Sequence, residues 1–321
     1  MRMTNRLWAI LGVGTVALSV SPQPLWATTV YPETFTCPIG GEVFQDYVVG
    51  SYSSFGQRPD GRAYGTLPIY PVTECPGNGF ILFDEQFTAE EIAILTPLVE
   101  SDAYQAMRQS ETAHFRSWWL MRAVRRDTNR LASAMLQASW ETDDDLVRKR
   151  RYQQAFIDAV AAIDQADEAW FFYTLRAVNA LRELSQFEQA ASLLERIEVS
   201  DRWPDESDER EGAHFLTDGL RALIADRNPY SEPTNLIPER MAEERCLTMG
   251  GELLPAERQA CDALVERQLS EANDRGARHS DADDAISADA AIWAVEGAEA
   301  AGNAGAAAAV EAWVGDNVPK D

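Results

Sequence analysis

The stretch WFFYTLRAVNALRELSQFEQAASLLERI, which runs from Trp170 to Ile197, indicates the architecture of this chain more clearly than any other. Its apolar and small residues recur at steps of three and four, as expected for two amphipathic helices that each bury one face. Because the turn at Leu184-Ser185 is short, the two helices should pack side by side, as in bundles and α-solenoids. The repeating positions are Trp170, Thr174, Ala177, Leu181 and Leu184 in the first helix and Phe187, Ala190, Leu194 and Ile197 in the second.

This helical pair resembles one tetratricopeptide repeat, a two-helix unit with small and bulky residues at these relative positions. It departs from the repeat at Ser185, where a glycine is usual, and at Thr174, where a large aromatic residue is usual. The same helical period occurs earlier in the chain, at Leu131, Met135 and Ala138 and at Tyr152, Phe156, Ala159 and Ile163. We therefore expect a mainly α fold with a tetratricopeptide-like helical domain over residues 88–275, whose first helix is capped by Thr88 and Glu91.

Residues 28–87 have a different character, with glycines, prolines and aromatic residues in short alternating pieces. This pattern is typical of short strands joined by turns. The clearest turn is Pro59-Asp60-Gly61, because proline restricts φ and glycine accepts a positive φ. We expect a small β-rich module here, packed on the helical domain.

The beginning of the chain has the composition of a secretory signal peptide over residues 1–27. Arg2 and Arg6 precede an apolar run at Leu7–Val20, and cleavage is expected after Ala27. The run is shorter than the roughly 20 residues that a membrane-spanning helix needs. We therefore expect a periplasmic or secreted protein without stable membrane insertion.

Residues 276–321 are rich in alanine, glycine and acidic residues. With so little apolar surface to offset the entropy of ordering, this composition favours a solvated acidic tail. The alternative is a partner-binding helix around Ile286, Ala290 and Trp293.

The overall charge excludes one class of partner. The chain of 321 residues has 28 basic and 52 acidic side chains, which gives a net charge of −24. Its electrostatic field repels phosphate, so we expect no nucleic-acid partner. The sequence contains three histidines and none of the common catalytic or nucleotide-binding motifs, so we expect no cofactor.

The four cysteines, in a protein expected to leave the cytoplasm, predict two disulfides. Four cysteines allow three pairings, and proximity in the sequence favours Cys37 with Cys75 and Cys246 with Cys261. Closing the short loop between the last two should restrict the unfolded chain by about 3 kcal/mol.

Two short stretches, Cys37-Pro38-Ile39-Gly40-Gly41 and Cys75-Pro76-Gly77-Asn78-Gly79, resemble zinc knuckles of the form Cys-Pro-x-Cys-Gly. Gly40 and Asn78 replace the second cysteine of each knuckle. Together with the helices that follow, they are similar to an uncharacterised bacterial family, a domain of unknown function in which a double-knuckle zinc ribbon precedes tetratricopeptide-like helices.

The resemblance implies that the module of residues 28–87 derives from a zinc ribbon. Two sulfur ligands of one tetrahedral zinc site lie about 3.8 Å apart, so it also implies that Cys37 and Cys75 are close enough for a disulfide. Because structural zinc needs four ligands and two thiols remain, we expect no metal.

Arginine is a candidate for partner binding, because it binds carboxylates through two hydrogen bonds and stacks on tryptophan. In tetratricopeptide-like architectures the first helix of a pair commonly lines the concave groove. The alternative is that the arginines pair with carboxylates on neighbouring helices. The candidates are Arg116, Trp119, Arg122 and Arg126 on one segment and Arg176 and Asn179 on the first helix of the pair.

These features favour a non-catalytic envelope protein whose helical groove binds another envelope protein or a peptide. The alternative is an enzyme or carrier for a small or polymeric ligand in the cleft between the module and the helices. In that case the loop Tyr52–Tyr64 would supply aromatic side chains and Arg58 or Arg62. A convergent polar cluster in a deep pocket would favour the enzyme or carrier, and a shallow exposed groove would favour the binding protein.

Overall fold

The computed structural model describes residues 28–278, in which four short strands precede ten α-helices. The predicted signal peptide and the segment 279–321, with the proposed helix around Trp293, lie outside the described residues. The strands are β1 (Thr29–Thr36), β2 (Val43–Ser51), β3 (Ser54–Gln57) and β4 (Ala63–Gly65). The helices are α1 (Ala89–Val99), α2 (Asp102–Ser110), α3 (Ala113–Ala123), α4 (Thr128–Trp140), α5 (Leu146–Val160), α6 (Trp170–Glu183), α7 (Phe187–Glu198), α8 (Ser207–Ala225), α9 (Glu239–Met249) and α10 (Pro255–Arg278).

The expectation of a mainly α fold with a small β module is confirmed. The capping box that opens α1 is also present, since Glu91 N–H donates to Thr88 Oγ1 and Thr88 N–H donates to Glu91 Oε2. Helix α10 continues to Arg278, three residues beyond the boundary expected at 275. Within the described part of the chain, no helix combines the length and the apolar character needed to span a membrane.

The module consists of two antiparallel hairpins. Strands β1 and β2 pair so that Phe35 lies opposite Phe44, and their rings stack with centroids 5.7 Å apart. Strands β3 and β4 are joined by the turn at Pro59-Asp60-Gly61, where Gly61 has a φ of 91°. This turn, which the sequence predicts, projects toward the helices and brings Arg58 and Asp60 to them.

The two knuckle-like loops share one hydrogen-bond pattern. Cys37 N–H donates to Glu42 O, and Gly41 N–H donates back to Cys37 O. In the second loop Cys75 and Gly79 make the same two bonds, with Phe80 O as the acceptor for Cys75 N–H. The disulfide Cys37–Cys75, with Cα atoms 5.9 Å apart, joins the loops and lies in the core.

One hydrophobic core extends from the module into the first helices. Phe80 and Ile81 of the module pack with Leu95 and Val99 of α1 and with Leu120 of α3. The boundary at residue 87 therefore marks a change from strands to helices, while the core is continuous across it.

The remaining helices pack around a second core, built mainly from α4 to α8. The predicted pair from Trp170 to Ile197 forms α6 and α7, and Ser185 in its turn has a positive φ of 62°. A third, small cluster lies between α9 and α10, where the disulfide Cys246–Cys261 joins the helices with Cα atoms 5.8 Å apart. Both expected disulfides are thus confirmed.

Candidate functional site

An open groove of about 700 Å³ runs between α5 and α7, with α6 as its floor. We call it the α5–α7 groove. The floor is the predicted stripe of α6, and Ile157, Val160 and Leu193 form apolar walls. Polar side chains occur along the rim. The floor residues are Trp170, Thr174, Ala177 and Leu181, and the rim residues include Gln165, Glu188, Gln189, Ser192 and Arg196.

The groove has the length of a short peptide segment. Its floor extends from Trp170 to Leu181, which at 1.5 Å per helical residue corresponds to about 16 Å. A segment of about three helical turns has the same length. An amphipathic helix could therefore lie over the groove, where it would contact the partly exposed Ile157 and Leu193 of the walls, while the floor side chains beneath are almost fully buried.

The two charged residues of the rim differ in their pairing. Glu188 lies 2.7 Å from the guanidinium of Arg227, and this pair is exposed. Arg196 is exposed as well, and it forms no ion pair or hydrogen bond through its side chain with the described residues. It lies in the last turn of α7, at the end of the groove formed by Gln165 and Trp170.

On α6, the residues predicted to bind a partner, Arg176 and Asn179, lie on the side away from the groove. In the structure the β3–β4 turn covers this side. Arg176 donates from Nη1 to Pro59 O in the β3–β4 turn. Asn179 has no exposed surface. Its side-chain oxygen accepts a hydrogen bond from Arg182, and its side-chain NH2 donates to Glu183 Oε1 at 2.8 Å. At 100° per residue, these positions lie across the helix from Thr174 and Ala177.

The residues under this turn form a partly buried polar cluster that joins the module to the helices. Arg58, only 4% exposed, pairs with Asp60 in its own turn and with Asp143, each at 2.7 Å. Asp143, in the loop before α5, also contacts Arg62 and accepts from Lys149 Nζ at 2.7 Å. The segment Tyr52–Tyr64, which the sequence predicted as a loop, contains most of the β3–β4 hairpin and supplies Arg58 and Arg62 to internal ion pairs. These two arginines therefore have structural partners and are not open to a ligand.

The cluster holds the carboxylate of Asp143 in the charged form. Burial by itself would raise the pKa of Asp143, but the hydrogen bonds and charges of Arg58 and Lys149 outweigh burial and lower that pKa below its usual value. Arg58 in turn has a raised pKa: burial acts to lower it, and the two aspartates more than compensate.

A second buried arginine ties α6 to the end of α8. Arg182 has no exposed surface, and its Nη1 donates to the backbone oxygens of Asn228 and Tyr230 at 2.6 and 2.8 Å. Asn228 donates from Nδ2 to the buried Glu257 of α10 at 2.8 Å. These contacts explain why the polar side of α6 faces inward.

The arginines proposed on α3 and after it also have internal partners, with one exception. Arg116 is 5% exposed and lies 2.6 Å from Glu74. Trp119 is half-buried against Tyr104, and Arg126 pairs with both Asp84 and Glu91. The exception is Arg122, which is exposed and lies over the ring of Trp118, 4.6 Å from its centroid.

These placements favour the structural alternative for Arg116, Arg126, Arg176 and Asn179, whereas Arg122 stays available to a partner. Sequence reasoning missed the α5–α7 groove because its floor has the spacing of an ordinary core stripe. A usable signal was the pair of polar residues Gln189 and Ser192 at a step of three on α7, beside the stripe but outside it.

Comparison of the chain with protein-family models, with curated proteins and with solved structures gives no match.

Proposed function

We propose that this chain is a binding protein of the periplasm or the cell exterior, and that its α5–α7 groove receives a segment of another envelope protein or a peptide. The observation that carries the proposal is the groove itself. It is open to solvent, has a volume of about 700 Å³, and has an apolar floor and a polar rim. A groove of this kind fits an amphipathic segment, whose apolar face would replace water at the partly exposed wall residues Ile157 and Leu193.

The location is supported by the two disulfides, which persist in oxidising compartments, and by the signal-like composition of residues 1–27. The module is proposed to be a secreted relative of zinc ribbons, in which the bond between Cys37 and Cys75 replaces the metal. The matching hydrogen bonds of the two knuckle-like loops support this origin.

The groove also suggests the charge of its partner. Arg196 is the unpaired cation of the rim among the described residues, and it lies at the Trp170 end of the floor. A segment with apolar residues on one face and a carboxylate near one end would satisfy both features, because arginine binds carboxylates through two hydrogen bonds. The partner is thus proposed to be an amphipathic helix of about three turns with a terminal acidic residue.

Site-specific photo-crosslinking in envelope preparations tests the proposal. A photoreactive amino acid in place of Gln189, on the rim, should capture a partner segment. The matched control is the same replacement at Ala191, an exposed residue of α7 outside the groove. Capture from position 189 should disappear with Ser192→Trp, which fills the groove, and should weaken with Arg196→Glu.

Two results would contradict the proposed function. One is the same set of adducts from positions 189 and 191. The other is capture from 189 that Ser192→Trp leaves unchanged while the variant keeps wild-type thermal stability.

A further inference from the structure

A second cavity, of about 370 Å³, lies between the module and the helices α3 and α4. It is separate from the α5–α7 groove, with which it shares no lining residue. Segments 70–73 and 82–83 of the module form one side of the cavity. We call it the histidine cavity because His114 of α3 lines it.

A carboxylate lies close to the side chain of His114, although Nδ1 forms no well-aligned hydrogen bond with it. His114 is 3% exposed, and its Nδ1 lies 2.9 Å from Oε1 of Glu141 at the end of α4. The other carboxylate oxygen, Oε2, accepts from the backbone N–H of His114 at 3.2 Å. Burial would raise the pKa of Glu141, but its contacts with His114 lower it, so the carboxylate is charged at neutral pH. A carboxylate at Nδ1 leaves Nε2 as the ring nitrogen available to a ligand.

Uncharged polar groups surround this imidazole in the cavity wall. Ser117 lies one turn after His114 on α3, is 3% exposed, and its hydroxyl makes no hydrogen bond with the described residues. On α4, Gln137 donates from Nε2 to Ser133 Oγ at 3.3 Å, which leaves the Gln137 side-chain oxygen and the Ser133 hydroxyl hydrogen free. The wall therefore offers both donors and acceptors.

The cation that lines the wall, Arg130, is already paired. It lies 2.8 Å from Asp84 and donates to Phe83 O at 2.7 Å. An ionic ligand would find no free counter-charge here and would have to lose its hydration, which disfavours it. Phe83, with the neighbouring Pro71 and Val72, adds an apolar side to the cavity.

We infer that the histidine cavity is a binding site for a small, neutral, polyhydroxylated ligand of the size of a monosaccharide. Hydroxyl groups can donate to Nε2 of His114 or Gln137 Oε1 and can accept from Ser117 or Ser133, and the carbon face of a sugar ring can pack on Phe83. This site, like the alternative ligand site predicted from the sequence, lies between the module and the helices. It is lined by residues of α3, α4 and segments 70–73 and 82–83, and not by Arg58 or Arg62.

Histidine NMR provides a selective test, because the chain has three histidines and, of the two that lie in residues 28–278, His114 lines the cavity and His214 does not. The probes are glucose and N-acetylglucosamine, with acetate and inorganic phosphate as charged counterparts. A neutral sugar at millimolar concentration should shift the Cε1–H signal of His114 in a saturable way, and His214, which stacks on Trp203, should not respond.

Three variants make the test specific. Ser133→Trp should abolish the response by filling the cavity, and Ser117→Ala should weaken binding about tenfold, the effect of losing about 1.4 kcal/mol. The matched control is Ser139→Ala, a buried serine of α4 that does not line the cavity and should bind as the wild type does. A further control, Ser192→Trp, blocks only the α5–α7 groove and should keep the sugar response, so the two proposals fail independently.

The inference is overturned if neither sugar shifts His114, or if acetate or phosphate alone does so. It is also overturned if Ser133→Trp and Ser139→Ala respond to a sugar as the wild type does.

Discussion

The guanidinium of Arg58 lies 2.7 Å from the carboxylate of Asp143, and this contact joins the β3–β4 turn to the loop before α5. Arg58 is almost completely buried, whereas Asp143 is about one-third exposed. The turn thereby covers the polar side of α6, and the open surface of the helical pair is on the other side, at the α5–α7 groove.

Removing Arg58 should destabilise the protein strongly. Arg58→Leu leaves the buried Asp60 without its ion-pair partner, and such a loss costs about 3–5 kcal/mol of the free energy of unfolding. Arg62→Leu is the matched control, because Arg62 contacts the same carboxylate but is 25% exposed, and it should cost about 1 kcal/mol. Urea denaturation of both variants measures the difference, and equal losses would contradict the role given to Arg58.

The contribution of Asp143 should depend on pH. Its pKa is lowered in the folded protein, so the folded state is favoured above the ordinary aspartate pKa of about 3.9, and this benefit is lost as pH falls through the lower folded value. Asp143→Asn should therefore be less stable than the wild type by about 1–3 kcal/mol at pH 7. The difference should begin to shrink below about pH 4, where Asp143 of the unfolded wild type becomes protonated, and should be lost once pH falls below the lowered pKa of the folded protein. Urea denaturation as a function of pH tests this, and a constant difference would refute it.

Arg122, on α3, and Arg126, in the connection between α3 and α4, should behave differently when replaced by alanine. Arg126→Ala loses pairs with Asp84 and Glu91 and should cost about 1–3 kcal/mol of stability. Arg122→Ala loses an exposed contact with Trp118 and should change stability by less than about 1 kcal/mol. Thermal unfolding separates the two. If Arg122→Ala were the more damaging, the assignment of Arg126 as a structural counter-ion would be wrong.

A glycine in the turn between α6 and α7 should stabilise the chain. Ser185 has a φ of 62°, and its N–H and that of Gln186 cap the end of α6 by donating to Arg182 O and Leu181 O. A left-handed backbone costs a residue with a side chain about 1–2 kcal/mol, and glycine avoids this cost. Part of the gain is lost because glycine makes the unfolded chain more flexible and so raises the entropy cost of folding. Ser185→Gly should therefore raise the free energy of unfolding by about 0.5–1 kcal/mol. Ser185→Ala serves as the control, since it keeps the strain, and a gain with alanine would argue against this cause.

The disulfide between α9 and α10 should act mainly on its own cluster. Replacing both Cys246 and Cys261 by alanine opens a loop with a sequence separation of 15 and should cost about 3 kcal/mol. Hydrogen exchange should accelerate in α9, while α4 to α7, which have a separate core, keep their protection. Uniform acceleration across the chain would show that the clusters unfold together.

Much of the fold followed from local patterns in the sequence. The three- and four-residue steps of Trp170 to Ile197 predicted α6 and α7, and Thr88 and Glu91 predicted the start of α1, because helices and caps depend on residues close in sequence. The disulfide of Cys246 and Cys261 was favoured for the same reason, while that of Cys37 and Cys75 also rested on the knuckle resemblance.

The sequence by itself therefore determined the elements of this protein, a mainly α chain with a small β module, and it favoured the two cysteine pairs that the structure contains. Only the tertiary structure decided which surfaces remain open. Arg176 meets Pro59 across 117 positions, and Arg58 meets Asp143 across 85, so no local period indicates either contact. These distant ion pairs and hydrogen bonds cover the polar side of α6 because a buried arginine is stable only with partners, and the groove is left on the opposite side.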